Sequence, residues 1–152
     1  MIEAWRLAKR RYASDLSGEG ERRIGGRWNS VGLPVVYLAD HPALALVEIR
    51  AHLAVPYDSL PDDYVILRVA LPDEPPEKVP AMPSDARATG DERLCSERTA
   101  VLRVPSAIVP QATNLLLNPK HSLAASAKII SAEPFKFDPR LWHGAPPGTP
   151  PP

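Results

Sequence analysis

The first candidate for chemistry in this sequence is a carboxylate on the apolar side of a predicted helix. The segment PALALVEIRAHL predicts a helix over about residues 42–53, and Glu48 then lies on the same face as Leu44 and Ala45. A charged group on the face that turns toward the core is costly unless it has a partner. Two interpretations remain open: a pairing with His52 or an arginine on a solvated edge, or an acid held at a pocket wall.

A glycine-rich stretch ahead of this helix contains the second candidate, an arginine. Gly25 and Gly26 precede Arg27 in GGRWNSVG, and glycines let a backbone approach a ligand closely. The planar guanidinium beside exposed backbone N–H groups suits a pyrophosphate, because its fork binds two oxygens at once. Arg6, on a predicted first strand, could supply a second guanidinium group to the same ligand. The alternative for both arginines is a surface salt bridge.

Aromatic and hydroxyl side chains add further candidates. Trp28 and Tyr37 could stack on a flat ring, most favourably a cationic one, and their alternative role is ordinary core packing. Ser106 follows a predicted strand and Pro105, so its hydroxyl could point into a cleft, although such a serine more often makes a local turn. The four histidines form no obvious triad with Ser106, and with one cysteine they match no zinc spacing, so we expect no metal.

Composition restricts the class of protein that carries these residues. The 152 residues include 18 basic and 18 acidic ones, and this zero net charge argues against a general nucleic-acid or membrane-surface binder. The single Cys95 permits no internal disulfide, and no membrane span or signal peptide is visible, so we expect a cytoplasmic protein. Proline, with 19 residues, is abundant. We therefore expect one domain over residues 1–143 and an extended proline-rich tail over residues 144–152.

The elements that position the candidates are mostly strands. Alternating and β-branched runs predict strands at Glu3–Lys9, Pro34–Ala39, Asp63–Leu71, 100–104, 112–119 and 127–137. The helix that carries Glu48 is the one helix clearly indicated, with Asp40 as its N-cap and Pro56 beyond its end. The stretch 14–32 is typical of a loop throughout. The βα repeats of a parallel nucleotide-binding sheet are missing, so we predict an α+β fold with a mixed or antiparallel sheet and few helices.

Five segments together resemble the RES-domain toxins, the toxin half of RES–Xre toxin–antitoxin modules. They are WRL at Trp5–Leu7, GGRWNSVGLPVVYLADHPALALVE at Gly25–Glu48, VLRVPSAIVP at Val101–Pro110, NLLLNPKH at Asn114–His121 and FKFDPRLW at Phe135–Trp142. The long second segment is highly specific. The arginine, glutamate and serine for which the family is named fall on Arg27, Glu48 and Ser106.

The resemblance implies a fold similar to the ADP-ribosyltransferase toxins of the diphtheria-toxin type, and an enzyme that consumes NAD+ as its substrate. It implies catalytic roles for Glu48, Arg27, Tyr37 and Ser106, and contacts to NAD+ from Arg6, Arg27, Trp28, Tyr37, Ser106 and Asn114. Glu48 would stabilise an oxocarbenium-like state, the arginines would hold the pyrophosphate, and Ser106 would hydrogen-bond the nicotinamide or ribose. An Xre-like helix-turn-helix antitoxin would block the pocket.

Three functions fit these expectations. The first is a toxin that cleaves NAD+ at the nicotinamide–ribose bond, by hydrolysis or phosphorolysis, and so depletes NAD+ and arrests growth. The second is a mono-ADP-ribosyltransferase that modifies a host protein. It is motivated by a middle segment (80–100) that is shorter than in the family and lacks its tryptophan, which could expose the pocket to a macromolecule. The third is a non-catalytic module that docks a partner through its arginines and proline-rich tail.

Overall fold

A computed structural model describes all 152 residues and contains seven strands and five helices. The strands are β1 (Glu3–Lys9), β2 (Val36–Ala39), β3 (Tyr64–Ala70), β4 (Glu77–Lys78), β5 (Val101–Pro105), β6 (Thr113–Leu117) and β7 (Lys128–Pro134). The helices are α1 (Arg10–Ala13), α2 (Glu19–Ile24), α3 (Pro42–His52), α4 (Ala86–Ser96) and α5 (Arg140–His143), and short 3-10 turns occur at Tyr57–Ser59 and Ser122–Ser126. The predicted α+β class with a mixed sheet is confirmed.

All seven strands form one sheet in the order β4-β5-β6-β2-β1-β3-β7. Every neighbouring pair is antiparallel except β4 and β5. Alternate residues of the central strands point to opposite faces, and the buried apolar residues of the molecule form three clusters. The largest cluster includes Leu38, Leu67 and Leu115, and a second contains Leu116 and Val104, which the alternation places on the other face.

The centre of the sheet contains a partial break between β1 and β2. β1 pairs with β3 at seven positions, from Glu3 to Lys9, but with β2 only at Trp5, opposite Ala39. Beyond that pair the two strands diverge, and residues of both line the gap. This divergence opens the principal cavity of the molecule.

Helix α3 packs beside this gap. Pro42 stands in its first turn, where a missing N–H costs nothing, and Leu44 and Ala45 are buried. The expectation that Asp40 caps the helix is wrong: His41 accepts from the Ala43 N–H at 3.1 Å. The Asp40 carboxylate instead accepts from the Thr113 hydroxyl at 2.6 Å, because the pairing of β2 with β6 brings the start of β6 within reach.

Besides the four-residue helices α1 and α5, two longer helices, α2 and α4, occur where the sequence did not indicate them. The prediction that residues 14–32 are loop throughout is wrong at α2, which buries none of its residues and is supported by an ion pair between Arg22 and Glu19 at 2.5 Å. Helix α4 is eleven residues long and lies in the middle segment (80–100). The Asp85 side chain caps it by accepting from Ala88 N–H at 2.9 Å.

The C-terminal region returns to the end of α3. The indole of Trp142 donates to the Val55 carbonyl at 2.9 Å, and the Arg50 guanidinium lies 4.2 Å from the Trp142 ring centroid. Residues 144–152 are exposed and contain no helix or strand. The boundary at residue 143 stays a prediction. No helix in the chain combines the length and apolar character that a membrane crossing requires.

Candidate active site

The gap between β1 and β2 widens into a cavity of about 750 Å³. This volume lies within the usual range for small-molecule sites, about 300–1,000 Å³. Residues from β1, β2, α3, the loop after α2 and helix α4 line it. Among the predicted site residues, the cavity wall includes Arg6, Arg27, Trp28, Tyr37, Glu48 and Asn114. Ser106 lies immediately behind this wall.

A short hydrogen bond joins Glu48 and Ser106, which are 58 positions apart in the sequence. The Ser106 hydroxyl donates to Glu48 Oε1 at 2.6 Å. Ser106 Oγ itself accepts from the backbone N–H groups of Ile108 and Val109, each at 3.1 Å. These three bonds use the proton and both lone pairs of the hydroxyl, so its orientation is fixed by the protein. Ser106 is 1% exposed, and its hydroxyl forms all of its possible hydrogen bonds with protein groups.

The alternative pairings of Glu48 do not occur. His52 Nδ1 lies 2.7 Å from the backbone carbonyl of Glu48 and does not contact its carboxylate. Arg50 donates to the carbonyls of Leu53 and Leu141. The carboxylate therefore has Ser106 as its protein partner, and its second oxygen, Oε2, accepts no hydrogen bond from the protein. Glu48 is half-buried at the cavity wall with one oxygen available to a ligand.

The two predicted arginines differ in how far the protein satisfies them. Arg27 lines the cavity and makes no hydrogen bond or ion pair with any protein group. Arg6 donates to the Asp15 carbonyl at 2.8 Å and lies 3.8 Å from the Glu21 carboxylate. The alternative role as a surface salt bridge is therefore not observed for Arg27, and for Arg6 it accounts for only some of its contacts. An anionic ligand would supply the partner that Arg27 lacks.

Tyr37 holds the glycine-rich loop in place. Its hydroxyl accepts from the backbone N–H of Trp28 at 3.0 Å and donates to Asn29 Oδ1 at 2.7 Å. Burial of the phenol raises the pKa of Tyr37 to about 12, so the hydroxyl is neutral. A Cβ at Gly26 would lie 2.8 Å from this hydroxyl, which explains the glycine at that position. The hydroxyl is occupied by the loop, while the residue lines the cavity.

Trp28 and Asn114 contribute mainly to the structure around the cavity. Trp28 is 2% exposed and belongs to an apolar cluster with Val35, Leu94 and Leu116, so core packing is its observed role. The Asn114 amide donates to the Leu38 carbonyl at 3.3 Å, at the start of β6. Trp28 therefore anchors the loop between α2 and β2 in the apolar core, and the neighbouring Arg27 lies at the cavity.

Four other ionisable residues at the cavity were not predicted to belong to the site. They are Lys9, Glu21, His52 and Arg87. Lys9 ends β1 and His52 ends α3, so their positions follow from elements that the sequence did indicate. Arg87 belongs to α4, a polar helix without a clear apolar stripe, and no sequence signal connected it to the site.

Comparisons with known proteins converge on one family. The chain matches the RES domain over residues 3–138. It is 40% identical over 146 residues to Toxin Res of Pseudomonas putida, a match that covers 91% of this chain and 98% of that protein. It is 39% identical over 158 residues to the Prs ADP-ribosylating toxin of a Sphingobium species, covering 93% of this chain and 97% of that protein.

Two further matches connect the chain with a mycobacterial toxin. A segment of 36 residues, 23% of this chain and 19% of the relative, is 56% identical to the NAD(+) phosphorylase MbcT of Mycobacterium tuberculosis. The crystal structure of the M. tuberculosis MbcT–MbcA toxin–antitoxin complex contains a chain of similar fold, with a TM-score of 0.67. That superposition covers 93% of this chain and 86% of the other at 19% sequence identity, so it shows a shared fold.

Proposed function

This chain belongs to the RES domain family, and from that membership and its cavity we propose that it is a toxin that cleaves NAD+ at the nicotinamide–ribose bond. One observation carries the proposal: the Glu48 carboxylate is held by Ser106 and keeps one free oxygen in a cavity whose other charged residues are mostly basic. Four basic side chains, from Arg6, Lys9, Arg27 and Arg87, line that cavity against two acidic ones, from Glu21 and Glu48. This charge pattern suits a substrate that carries both a diphosphate and a cationic ring.

The reaction begins with cleavage of the bond between ribose C1′ and the pyridinium nitrogen. The bonding electron pair moves to that nitrogen, so nicotinamide leaves as a neutral molecule and needs no proton. Positive charge then develops on C1′ and the ring oxygen, as in glycoside cleavage. The Glu48 carboxylate stabilises this charge and accepts a hydrogen bond from a ribose hydroxyl through Oε2. Ser106 acts through Glu48, because its bonds fix the position of the carboxylate.

The remaining residues bind and orient the substrate. Arg27 and Arg6 hold the diphosphate, and the unpaired state of Arg27 makes it the stronger contributor. Tyr37 flanks the nicotinamide and ribose with its ring while its hydroxyl keeps the loop in shape. Trp28 supports that loop from the core, and Asn114 adds a polar group beside Leu38.

The acceptor completes the reaction by attacking C1′. Water gives ADP-ribose and releases one proton to solvent, whereas inorganic phosphate gives ADP-ribose carrying a phosphate on C1′. Either reaction consumes one NAD+ per turnover. Depletion of NAD+ in the cytoplasm would arrest growth, which is the toxic effect that we assign to this protein.

Nicotinamide release from NAD+ by the purified protein tests this function. We expect Glu48→Gln to lower kcat by at least about 100-fold, the scale seen when a charge-stabilising group is removed, because the amide is neutral. Glu133→Gln is the matched control, since Glu133 lies exposed on β7 and makes no side-chain hydrogen bond or ion pair. Release of nicotinamide by Glu48→Gln at the wild-type rate would refute the role of the carboxylate.

A second function, transfer of ADP-ribose to a host protein, is favoured by one comparison. The Prs ADP-ribosylating toxin matches this chain over nearly its whole length. The bond broken and the role of Glu48 would be the same, and a nucleophilic side chain would replace water or phosphate. Incubation of cell extract with NAD+ labelled in its adenosine portion separates the two functions. A single labelled protein band indicates transfer, and soluble labelled ADP-ribose or its phosphate indicates small-molecule cleavage.

The partner that we propose is an Xre-like, helix-turn-helix antitoxin that covers the cavity. The similar fold in the MbcT–MbcA complex supports a toxin–antitoxin arrangement. Co-expression with a neighbouring helix-turn-helix gene should restore growth and suppress nicotinamide release. A complex that forms but leaves nicotinamide release unchanged would contradict binding over the cavity.

A further inference from the structure

Helix α4 contacts the glycine-rich loop through one face of the helix and alternate residues of the loop. Arg87 Nε donates to the Gly26 carbonyl at 3.2 Å, one turn before Asp91, whose carboxylate accepts from the Ser30 N–H at 2.8 Å. Between them, Gly90 packs on the backbone of Trp28 so closely that a methyl group would overlap its carbonyl oxygen. Helix residues 87, 90 and 91 thus meet loop residues 26, 28 and 30.

This contact brings Arg27 and Arg87 to the same cavity. Arg27 lies between two loop residues that α4 holds, and Arg87 is bonded to the residue directly before it. Both side chains line the cavity. Arg87 uses only Nε in its protein contact, so its two terminal nitrogens have no protein acceptor, and Arg27 has none at all.

The other arginines in and just after α4 show that this lack of acidic partners is specific to Arg87. Arg93 forms ion pairs with Glu77 and Glu92. Arg98 lies 3.2 Å from the same two glutamates. Arg87 has no carboxylate within ion-pair distance although Asp91 follows one turn later, because Asp91 is bonded to Ser30. At the cavity, Arg27 and Arg87 are therefore two positive charges without an ion-pair partner in the protein.

We propose that Arg87 and Arg27 together form a paired guanidinium site for the diphosphate of the nucleotide substrate. The inference rests on the proposed function and extends it, because it assigns a substrate-binding role to the middle segment. Two planar forks suit a diphosphate, whose two phosphoryl groups each present oxygens in pairs. Arg6 is the weaker anchor, since Glu21 already lies 3.8 Å from it.

Binding measured without turnover tests this site. In the Glu48→Gln background, titration calorimetry would give the affinities for NAD+ and for ADP, which keeps the diphosphate and lacks the scissile bond. We expect Arg87→Ala to weaken both affinities at least tenfold and to reduce their dependence on salt, since one ion contact is lost. Arg87→Lys should recover only part of the affinity, because an ammonium cannot bind two oxygens in the same geometry.

Arg98→Ala is the matched control, because Arg98 pairs with Glu77 and Glu92 away from the cavity. It should leave both affinities within twofold of the parent. Affinities within twofold for Arg87→Ala would overturn the paired site, as would a Glu48→Gln parent that binds neither ligand. If the wild type releases no nicotinamide but Arg87→Ala still weakens ADP binding, the proposed reaction is refuted. The diphosphate site would then remain supported.

Discussion

Replacing Ser106 with alanine removes three hydrogen bonds at once. The Glu48 carboxylate loses its protein donor, and the N–H groups of Ile108 and Val109 lose their acceptor. Ile108 is 41% exposed, so water can reach part of this turn, but Ser106 itself is 1% exposed. A buried polar group left without a partner costs about 1–3 kcal/mol. We therefore expect Ser106→Ala to be destabilised by about 2 kcal/mol, or about 4–8 °C in Tm for a chain of this size.

In Ser106→Ala, the loss of activity should appear as a decrease in kcat. Without Ser106 the carboxylate can occupy other rotamers, so the fraction of molecules with Oε2 at C1′ decreases. We expect kcat for nicotinamide release to fall about 10- to 100-fold, as when a positioning group is lost, with KM changed less than threefold. Ser84→Ala is the control, because Ser84 is exposed and makes no side-chain hydrogen bond.

A double-mutant cycle separates positioning from direct ligand contact. If Ser106 acts only through Glu48, then Ser106→Ala should cost little further activity in the Glu48→Gln background. Independent, additive losses in kcat would show that the Ser106 hydroxyl touches the substrate, and would refute the reasoning from its saturated hydrogen bonds. Thermal unfolding of all four proteins would account for any loss of folded enzyme.

Two further predictions concern the loop that carries Arg27. The unfolded chain ionises Tyr37 near its ordinary pKa of 10, whereas burial holds the folded pKa at about 12. Wild-type stability should therefore fall between pH 10 and pH 12 by on the order of 2 kcal/mol more than that of Tyr37→Phe, as urea unfolding would show; equal slopes would contradict this. Gly90→Ala should lose at least about 2 kcal/mol through overlap with Trp28, while Gly20→Ala, with open space around it, should not be destabilised. Unchanged Tm in Gly90→Ala would mean that α4 does not hold the loop.

Regular hydrophobic patterns made the sheet and the central helix predictable. β-branched and leucine-rich runs marked the major strands, and the 3.6-residue period placed Glu48 beside Leu44 and Ala45. The resemblance to the RES family then identified Arg27 and Tyr37 on the wall of one cavity. The sequence pattern was sufficient for these elements because each one buries residues at a regular spacing, which leaves a periodic run of apolar residues in the sequence.

Contacts made by polar segments were not predictable in the same way. Helix α4 buries only Gly90 and Leu94, so its sequence carries almost no apolar period, and its role in positioning Arg87 depends on fitting Trp28. Helix α2 buries none of its residues, so it has no apolar period, and Glu19 pairs with Arg22 and Arg23 on its surface. The bond from Ser106 to Glu48 joins residues whose distance depends on the packing of α3 against the sheet. Asp40 failed as a cap because a tertiary partner, Thr113, competed for it.

The single pairing of Trp5 with Ala39 has a mechanical consequence for the sheet. It divides the seven strands into a four-stranded half with β2 at its margin and a three-stranded half with β1 at its margin. Tyr37 belongs to the first half and Arg6 to the second. A nucleotide that contacts both residues would connect the two halves of the sheet and restrict their relative motion more than the single β1–β2 residue pair does. Its binding should therefore slow hydrogen exchange along β1 and β2 together, including at residues that never touch it.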